Sequence, residues 1–164
     1  MKRKYKREVF ASRVERIKQL LPDAFIGVDV IAGTNGETEQ YFLDTYNFIL
    51  DQDISQLHVF PYSERPGTLA LQIPHKVPVH ERHERVKRLI DLSERKHSLF
   101  CENQLGKTRK VLFEADKKHN CMFGWTDNYF RVETSWNEKL VNQVVDFRLE
   151  MINKDGNAEG LILL

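Results

Sequence analysis

Phe25-Ile26-Gly27-Val28-Asp29-Val30-Ile31-Ala32, continued by Gly33-Thr34-Asn35-Gly36-Glu37-Thr38, is the stretch that decides the fold. Its first eight residues are a nearly continuous apolar run rich in β-branched side chains, the composition of a strand covered on both faces in a parallel sheet. One charge, Asp29, interrupts it. The next six form a glycine-bearing loop, and behind it Phe42, Tyr46, Phe48 and Ile49 mark the buried stripe of a helix over about 38–52. A second apolar run, Leu57-His58-Val59-Phe60-Pro61-Tyr62, follows within a few residues. Strand, crossover helix and strand predict one right-handed βαβ unit with parallel strands.

Upstream, Val9, Phe10, Val14, Ile17, Leu20 and Leu21 recur at helical spacing, and Pro22 stands where that helix should stop. A two-stranded parallel sheet cannot cover its own faces, so residues 1–73 read as a slice of a larger α/β domain. Its open edges predict a homo-oligomer. Downstream, Pro74 and Pro78 among polar residues mark a linker. A charged helix over about 79–103 follows, with Val86, Leu89, Ile90, Ser93, His97 and Phe100 on one face. After Gly106 the pattern changes to five short runs, Arg109 to Ala115, Cys121 to Trp125, Tyr129 to Thr134, Val144 to Ile152 and Gly160 to Leu164, separated by Asp/Asn/Gly/Lys turns. That spacing fits a small closed barrel of the OB-like kind. The expected fold class is a partial α/β unit with parallel strands followed by an all-β barrel, divided at 1–76, 77–103 and 104–164.

The chain's 164 residues, 41% hydrophobic and 10% aromatic, suffice for packed cores in one ordinary domain or two small ones. No apolar run approaches the roughly 20 residues of a membrane helix, and the basic N-terminus lacks an apolar segment behind it. Both observations argue for a cytoplasmic, unprocessed chain with no membrane partner. Cys101 and Cys121 are twenty positions apart and show none of the short spacings of zinc or iron–sulfur ligation, so they read as two reduced thiols. The histidines form no metal pattern, and His80 and His83 read as solvated on a charged helix face. Net charge is only +1, yet residues 2–18 hold eight Lys/Arg against Glu8 and Glu15.

Several motifs carry two readings each. The Gly33–Thr38 loop joins a strand to a helix N-terminus, which favours an anionic or polar ligand; glycines there equally serve turns that need positive φ. It is neither a Walker loop nor a dinucleotide fingerprint. Asp29 sits near the carboxyl end of a parallel strand, where ligands are contacted, or else it pairs with a neighbouring strand. Arg65, in Tyr62-Ser63-Glu64-Arg65-Pro66-Gly67-Thr68, is placed to clamp a carboxylate or phosphate, or belongs to an ordinary turn. In the barrel, Lys107, Arg109, Lys110, Lys117, Lys118 and Arg131 mix with Trp125, Tyr129, Phe130 and Trp136. That mixture suits single-stranded nucleic acid; alternatively the aromatics are core and the lysines solvate the surface.

Taken together, Gly27 to Thr38 and Leu57 to Thr68 resemble the radical-SAM methylthiotransferases, whose corresponding stretches read roughly D-x-I-x-G-F-P-G-E-T and H-x-F-x-Y-S-x-R-x-G-T. Met1-Lys2-Arg3-Lys4-Tyr5 is similar to the family's M-R-R-x-Y segment, and Gly124-Trp125-Thr126-Asp127-Asn128-Tyr129 looks like part of its RNA-binding TRAM domain. The resemblance covers essentially the whole chain. It is nearest to the branch acting on threonylcarbamoyladenosine in tRNA, ahead of branches acting on isopentenyladenosine or a ribosomal protein. It implies an enzyme that attaches a methylthio group at carbon 2 of an adenine beside the anticodon, using S-adenosylmethionine and two 4Fe-4S clusters.

The resemblance further implies that Asp29, Gly33, Gly36, Glu37 and Arg65 border the S-adenosylmethionine pocket, and that Lys107, Arg109, Lys110, Arg131 and Tyr129 hold tRNA. Two departures stand out. Thr34-Asn35 replaces the family's Phe-Pro, and the three-cysteine cluster motif is absent. The chain thus reads as a C-terminal fragment that lacks the N-terminal cluster-bearing domains, binds no cofactor of its own and is inactive alone.

Overall fold

The structure is a computed structural model that describes residues 6–163. The Met1–Tyr5 segment of the resemblance lies outside the described residues. Two compact units divide between His97 and Ser98.

In the first unit, α1 (Arg7–Leu20) ends before Pro22, and β1 (Gly27–Ala32), α2 (Glu39–Leu50) and β2 (Gln56–Pro61) form the βαβ unit. The strands are parallel, in register from Gly27↔Gln56 to Ala32↔Pro61. Thr38 starts α2 by accepting the Tyr41 N–H on its side-chain oxygen, which satisfies a donor that has no partner within the helix. A short 3-10 turn, Leu69–Gln72, precedes α3 (Val79–Glu102), within which the division between units falls.

The sheet is covered on one face, not two. Ala32, Leu57, Phe42, Ile49, Leu89 and Leu92 form the buried core, with Val28, Val30 and Val59 packed against it. Gly27, Asp29, Ile31, His58 and Phe60, which alternate with these along the strands, are exposed. The charge that interrupts the apolar run is therefore on the open face. The predicted helical stripes also shift. On α1 only Val14 is buried, while Val9, Ile17, Leu20 and Leu21 stay exposed. On α3, Ile90 is exposed, and Leu92, Arg82 and Arg85 are buried in its place.

The two sheet edges differ in character. The Ile26 and Ala32 carbonyls accept from the Ser55, Gln56 and Tyr62 N–H groups, so the even-numbered residues of β1 face β2. The odd-numbered residues Gly27, Asp29 and Ile31 then direct their backbone groups to the far edge. On the outer edge of β2, Ser93 Oγ of α3 accepts the Leu57 N–H at 2.8 Å and donates to its carbonyl at 3.1 Å. Pro61, the other outward residue near the rim, has no N–H to offer. Ser93→Ala strands a buried donor and acceptor, and is expected to lower the stability of this unit by about 1–2 kcal/mol, read from the thermal melt of the helical circular dichroism.

The second unit is a closed barrel of β3 (Thr108–Lys118), β4 (Cys121–Thr126), β5 (Arg131–Ser135), β6 (Val144–Ile152) and β7 (Ala158–Leu163), in the spatial order β3-β4-β5-β7-β6. Pairing is antiparallel except for the parallel Val132↔Ala158 contact, which joins β5 to β7. Closure removes open edges. Inward residues Val111, Phe113, Met122, Phe130, Val132, Phe147, Leu149 and Ala158 fill the interior. Phe113 and Phe147 meet edge to face with ring centroids 6.0 Å apart. Close packing reaches the backbone at Gly124, where a Cβ would lie 2.6 Å from the Leu112 carbonyl oxygen.

Candidate functional site

In the first unit, β1 and β2 end side by side, with the Tyr62 N–H donating to Ala32 O at 2.8 Å. The Gly33–Thr38 loop and the Tyr62–Thr68 loop therefore leave the sheet at one rim, its carboxyl end. Gly33 and Gly36 have φ of +80° and +83°, a conformation that side chains bearing a Cβ rarely adopt. Space also excludes a side chain at both. A Cβ on Gly33 would fall on Arg82 Cγ, and one on Gly36 would lie 2.9 Å from Ile73 Cγ2.

Glu37 braces this loop from within. Its Oε1 accepts the Gly33 N–H at 2.9 Å and Arg85 Nη1 at 2.9 Å, while Arg85 Nη1 also donates to the Glu37 carbonyl at 3.0 Å. Arg85 further pairs with Glu39 and Glu81. Arg82 ties the two loops together, since it packs beneath Gly33 and donates to the carbonyls of Val77 and Tyr62 and to Glu64. Neither arginine was among the residues singled out from the sequence. The signal was present: positions 82, 85, 89 and 92 follow 3-4-3 spacing, so both arginines share the stripe of Leu89 and Leu92.

The expected cofactor residues fall into three environments. Asp29 is exposed on the open sheet face, at the pairing position of His58 and between Gly27 and Ile31. Gly33, Gly36 and Glu37 form the braced loop, with the Glu37 carboxylate turned to α3. Arg65 is exposed in the second loop, where its carbonyl accepts from Thr68 and its guanidinium has no ion-pair partner among the described residues. Asn35, part of the Thr34-Asn35 departure from the family pattern, is buried; its amide nitrogen donates to Ala70 O, and its Oδ1 has no partner among the described residues.

In the barrel, Gly124 to Tyr129 is largely architectural. Thr126 Oγ1 donates to Asn128 Oδ1 and accepts the Phe130 N–H, and Asn128 Nδ2 donates to the buried Gln104. Phe130 is core. Tyr129 is 70% exposed although its φ is +63°, an unusual conformation for a bulky residue that the turn around it holds in place.

Several of the expected cations are already engaged. Arg109 donates to Gln104 and lies 3.8 Å from Asp127; Lys110 pairs with Asp146 at 2.7 Å; Lys107 is half-buried. Arg131 pairs with Glu114 at 3.5 Å and lies 4.9 Å from the ring centroids of both Phe123 and Trp125. Lys107, Arg109, Lys110 and Tyr129 gather at one end of the β3–β4 pair, where the Asp127 N–H meets Lys110 O. Lys117 and Lys118 lie at the other end, eight residues along β3, or roughly 25 Å at strand rise. The barrel thus does not present the basic residues as one patch.

A concavity of about 390 Å³ on the barrel is lined by Glu133, Glu150 and Glu159 beside Cys121. Its carboxylates disfavour phosphate there. Bonds from Asn157 and Asn153 hold the Glu133 carboxyl below its ordinary pKa. Burial pushes the Cys101 thiol up to about 11, and burial together with the Glu133 carboxylate raises that of Cys121. Among the described residues no three His, Cys, Asp or Glu side chains converge as a metal-ligand set, and no helix is long and apolar enough to cross a membrane.

No protein-family model matches the chain. Curated relatives do. The chain is 37% identical over 153 residues to the threonylcarbamoyladenosine tRNA methylthiotransferase of Bacillus subtilis, an alignment covering 91% of this chain and 34% of the relative. It is 36% identical over 151 residues to the tRNA-2-methylthio-N(6)-dimethylallyladenosine synthase of Symbiobacterium thermophilum, covering 91% and 32%. To the synthase of the same name from Aliarcobacter butzleri it is 32% identical over 155 residues, covering 94% and 36%. The chain spans about a third of the length of these relatives. An α/β unit with a rim of two glycine-bearing loops, followed by a closed barrel, accompanies that similarity along nearly the whole sequence, and the chain belongs to the tRNA methylthiotransferase family as a C-terminal piece of it.

Proposed function

We propose that this chain is the cofactor-rim and RNA-holding part of a cytoplasmic methylthiotransferase acting on N6-threonylcarbamoyladenosine beside the anticodon of a tRNA. The observation that carries the reading is the 37% identity to a relative named for that activity, across 91% of the chain. By this reading, residues 1–76 complete the catalytic domain, 77–103 connect, and 104–164 are a TRAM-like barrel. The part of the relatives' length that this chain does not span would supply the domains it works with.

The rim fits an adenosyl or amino-acid ligand. The open sheet face offers the Asp29–His58 pair beside the apolar Ile31–Phe60 pair, a mixture of hydrogen-bonding and apolar surface suited to S-adenosylmethionine. When bound, that cofactor supplies the radical and the methyl group. Asp29 and Arg65 would contact it directly. Gly33 and Gly36 give the rim loop its positive-φ turns over Arg82 and Ile73, and Glu37 holds the loop's shape from behind. Iron–sulfur clusters do not fit the described residues, because Cys101 is buried and no ligand set converges. The cluster ligands belong to the parent enzyme's other domains, and the chain alone is expected to form no methylthiolated product.

For RNA, Lys107, Arg109 and Lys110 at the Tyr129 end of the barrel and Arg131 on β5 supply phosphate contacts, with the exposed Tyr129 stacking on a base. The test is binding of the 164-residue chain to an unmodified anticodon stem-loop across a salt series. Three net phosphate contacts predict that affinity falls roughly twenty- to fortyfold between about 50 and 200 mM salt. Absence of salt-sensitive binding would remove the barrel's role in holding tRNA.

A further inference from the structure

The β3–β4 hairpin presents cations that differ from those at the Tyr129 end. Lys117, Lys118 and His119 are consecutive, residues 115–120 are all exposed, and none of these three side chains forms an ion pair among the described residues. Lys110, Arg109 and Arg131, by contrast, each lie within 4 Å of a carboxylate. A cation already neutralised by a neighbour gains less from a phosphate than one facing water, since binding must first displace its internal partner.

The hairpin tip is also rigid. His119 and Asn120 have φ of +50° and +64°, the paired left-handed residues of a tight two-residue hairpin turn that matches strand twist. The Trp136 backbone N–H donates to Asn120 O at 2.9 Å, and Lys117 Nζ lies 5.3 Å from the centroid of the half-buried Trp136 ring. The Asn120 carbonyl thus ties the Trp136 backbone to the turn and Lys117 lies over the indole, while Lys118, the next residue of the strand, projects to the other face of the same exposed tip. Of the two acidic residues on β3, Glu114 pairs with Arg131 and Asp116 is exposed without an ion pair among the described residues; Glu133 on β5 is held by Asn153 and Asn157.

We propose that this tip is a second RNA contact, in which Lys117 and Lys118 hold backbone phosphates and Trp136 stacks on an unpaired base. The inference rests on the reading of the barrel as RNA-binding, and places a contact roughly 25 Å along the strand from the Tyr129 end. An RNA engaging both ends meets the barrel along the length of β3.

Two measurements on the whole chain test it. In the first, K117A/K118A binds the anticodon stem-loop about five- to tenfold more weakly than the unaltered chain, and its salt slope falls by about 1.4–1.8, as two lost phosphate contacts require. K117R/K118R retains the affinity. In the second, a Trp125→Phe background leaves Trp136 as the sole indole, and its emission is quenched when the stem-loop is added. Unchanged affinity and slope in K117A/K118A, or Trp136 emission indifferent to RNA, would overturn the second contact while leaving RNA binding at the Tyr129 end intact. Failure of the unaltered chain to bind RNA at all would overturn both.

Discussion

Arg85→Ala is expected to destabilise the first unit by about 3–5 kcal/mol, because it leaves the inward-facing Glu37 carboxylate without its cation. The Arg85 side chain is 4% exposed and that of Glu37 15%, so water does not replace the lost partner. The change also removes bonds to the Glu37 carbonyl and to Glu39, and a guanidinium 5.4 Å from the centroid of the Phe42 ring. Arg85→Lys keeps the charge but not the fork of donors, so an intermediate loss is expected. The helical circular dichroism reads the effect, since α1, α2 and most of α3 lie in this unit. A melt within error of the unaltered chain would show that the clamp is dispensable. Because Glu37 Oε1 also accepts the Gly33 N–H, the same variant is expected to loosen the rim loop, with faster amide hydrogen exchange at Gly33.

Gly160→Ala is expected to be the corresponding break in the barrel. A Cβ there would fall onto the Arg148 carbonyl oxygen and lie 3.0 Å from Phe147 Cε1. Neither neighbour can yield freely: Arg148 is in register with Thr108 and Leu161, and Phe147 is fully buried. Strand β7 must shift from β6, and it is also the strand that closes the barrel on β5 through Ala158. The expected loss is about 3 kcal/mol, the upper part of the range for overpacked cores. Trp125 and Trp136 are the chain's two tryptophans and both lie in the second unit. Their emission should therefore report the loss, with the helical melt of the first unit little changed. An unaltered emission melt would mean that the barrel can absorb the side chain.

Local pattern made most of the elements legible. The βαβ unit and all five barrel strands appear in the expected order, because alternation along a strand and 3.6-residue spacing along a helix are written in adjacent residues. Pro22 and Thr38 mark helix boundaries for reasons equally local. The rim was legible for the same reason, since two glycine-bearing loops after two parallel strands must leave the sheet at one end. The long-range partners within it were not: the Glu37 carboxylate is held by Arg85, 48 residues away in sequence.

The barrel draws the same boundary. Composition could not separate core from surface aromatics, and the structure buries Phe130 while leaving Tyr129, its neighbour, in solvent. Six basic residues looked like one class; closure of the sheet neutralises three of them with Asp127, Asp146 and Glu114, and leaves the pair at the hairpin tip without an ion pair.

What the sequence by itself determined was the succession of elements and the family, since periodicity, turn chemistry and motif order are properties of neighbouring residues. The tertiary structure alone decided which face of the sheet is open, which arginines are buried and which cations still face water. Those outcomes depend on partners brought from remote parts of the chain, and burial of a charge is set by whether such a partner arrives.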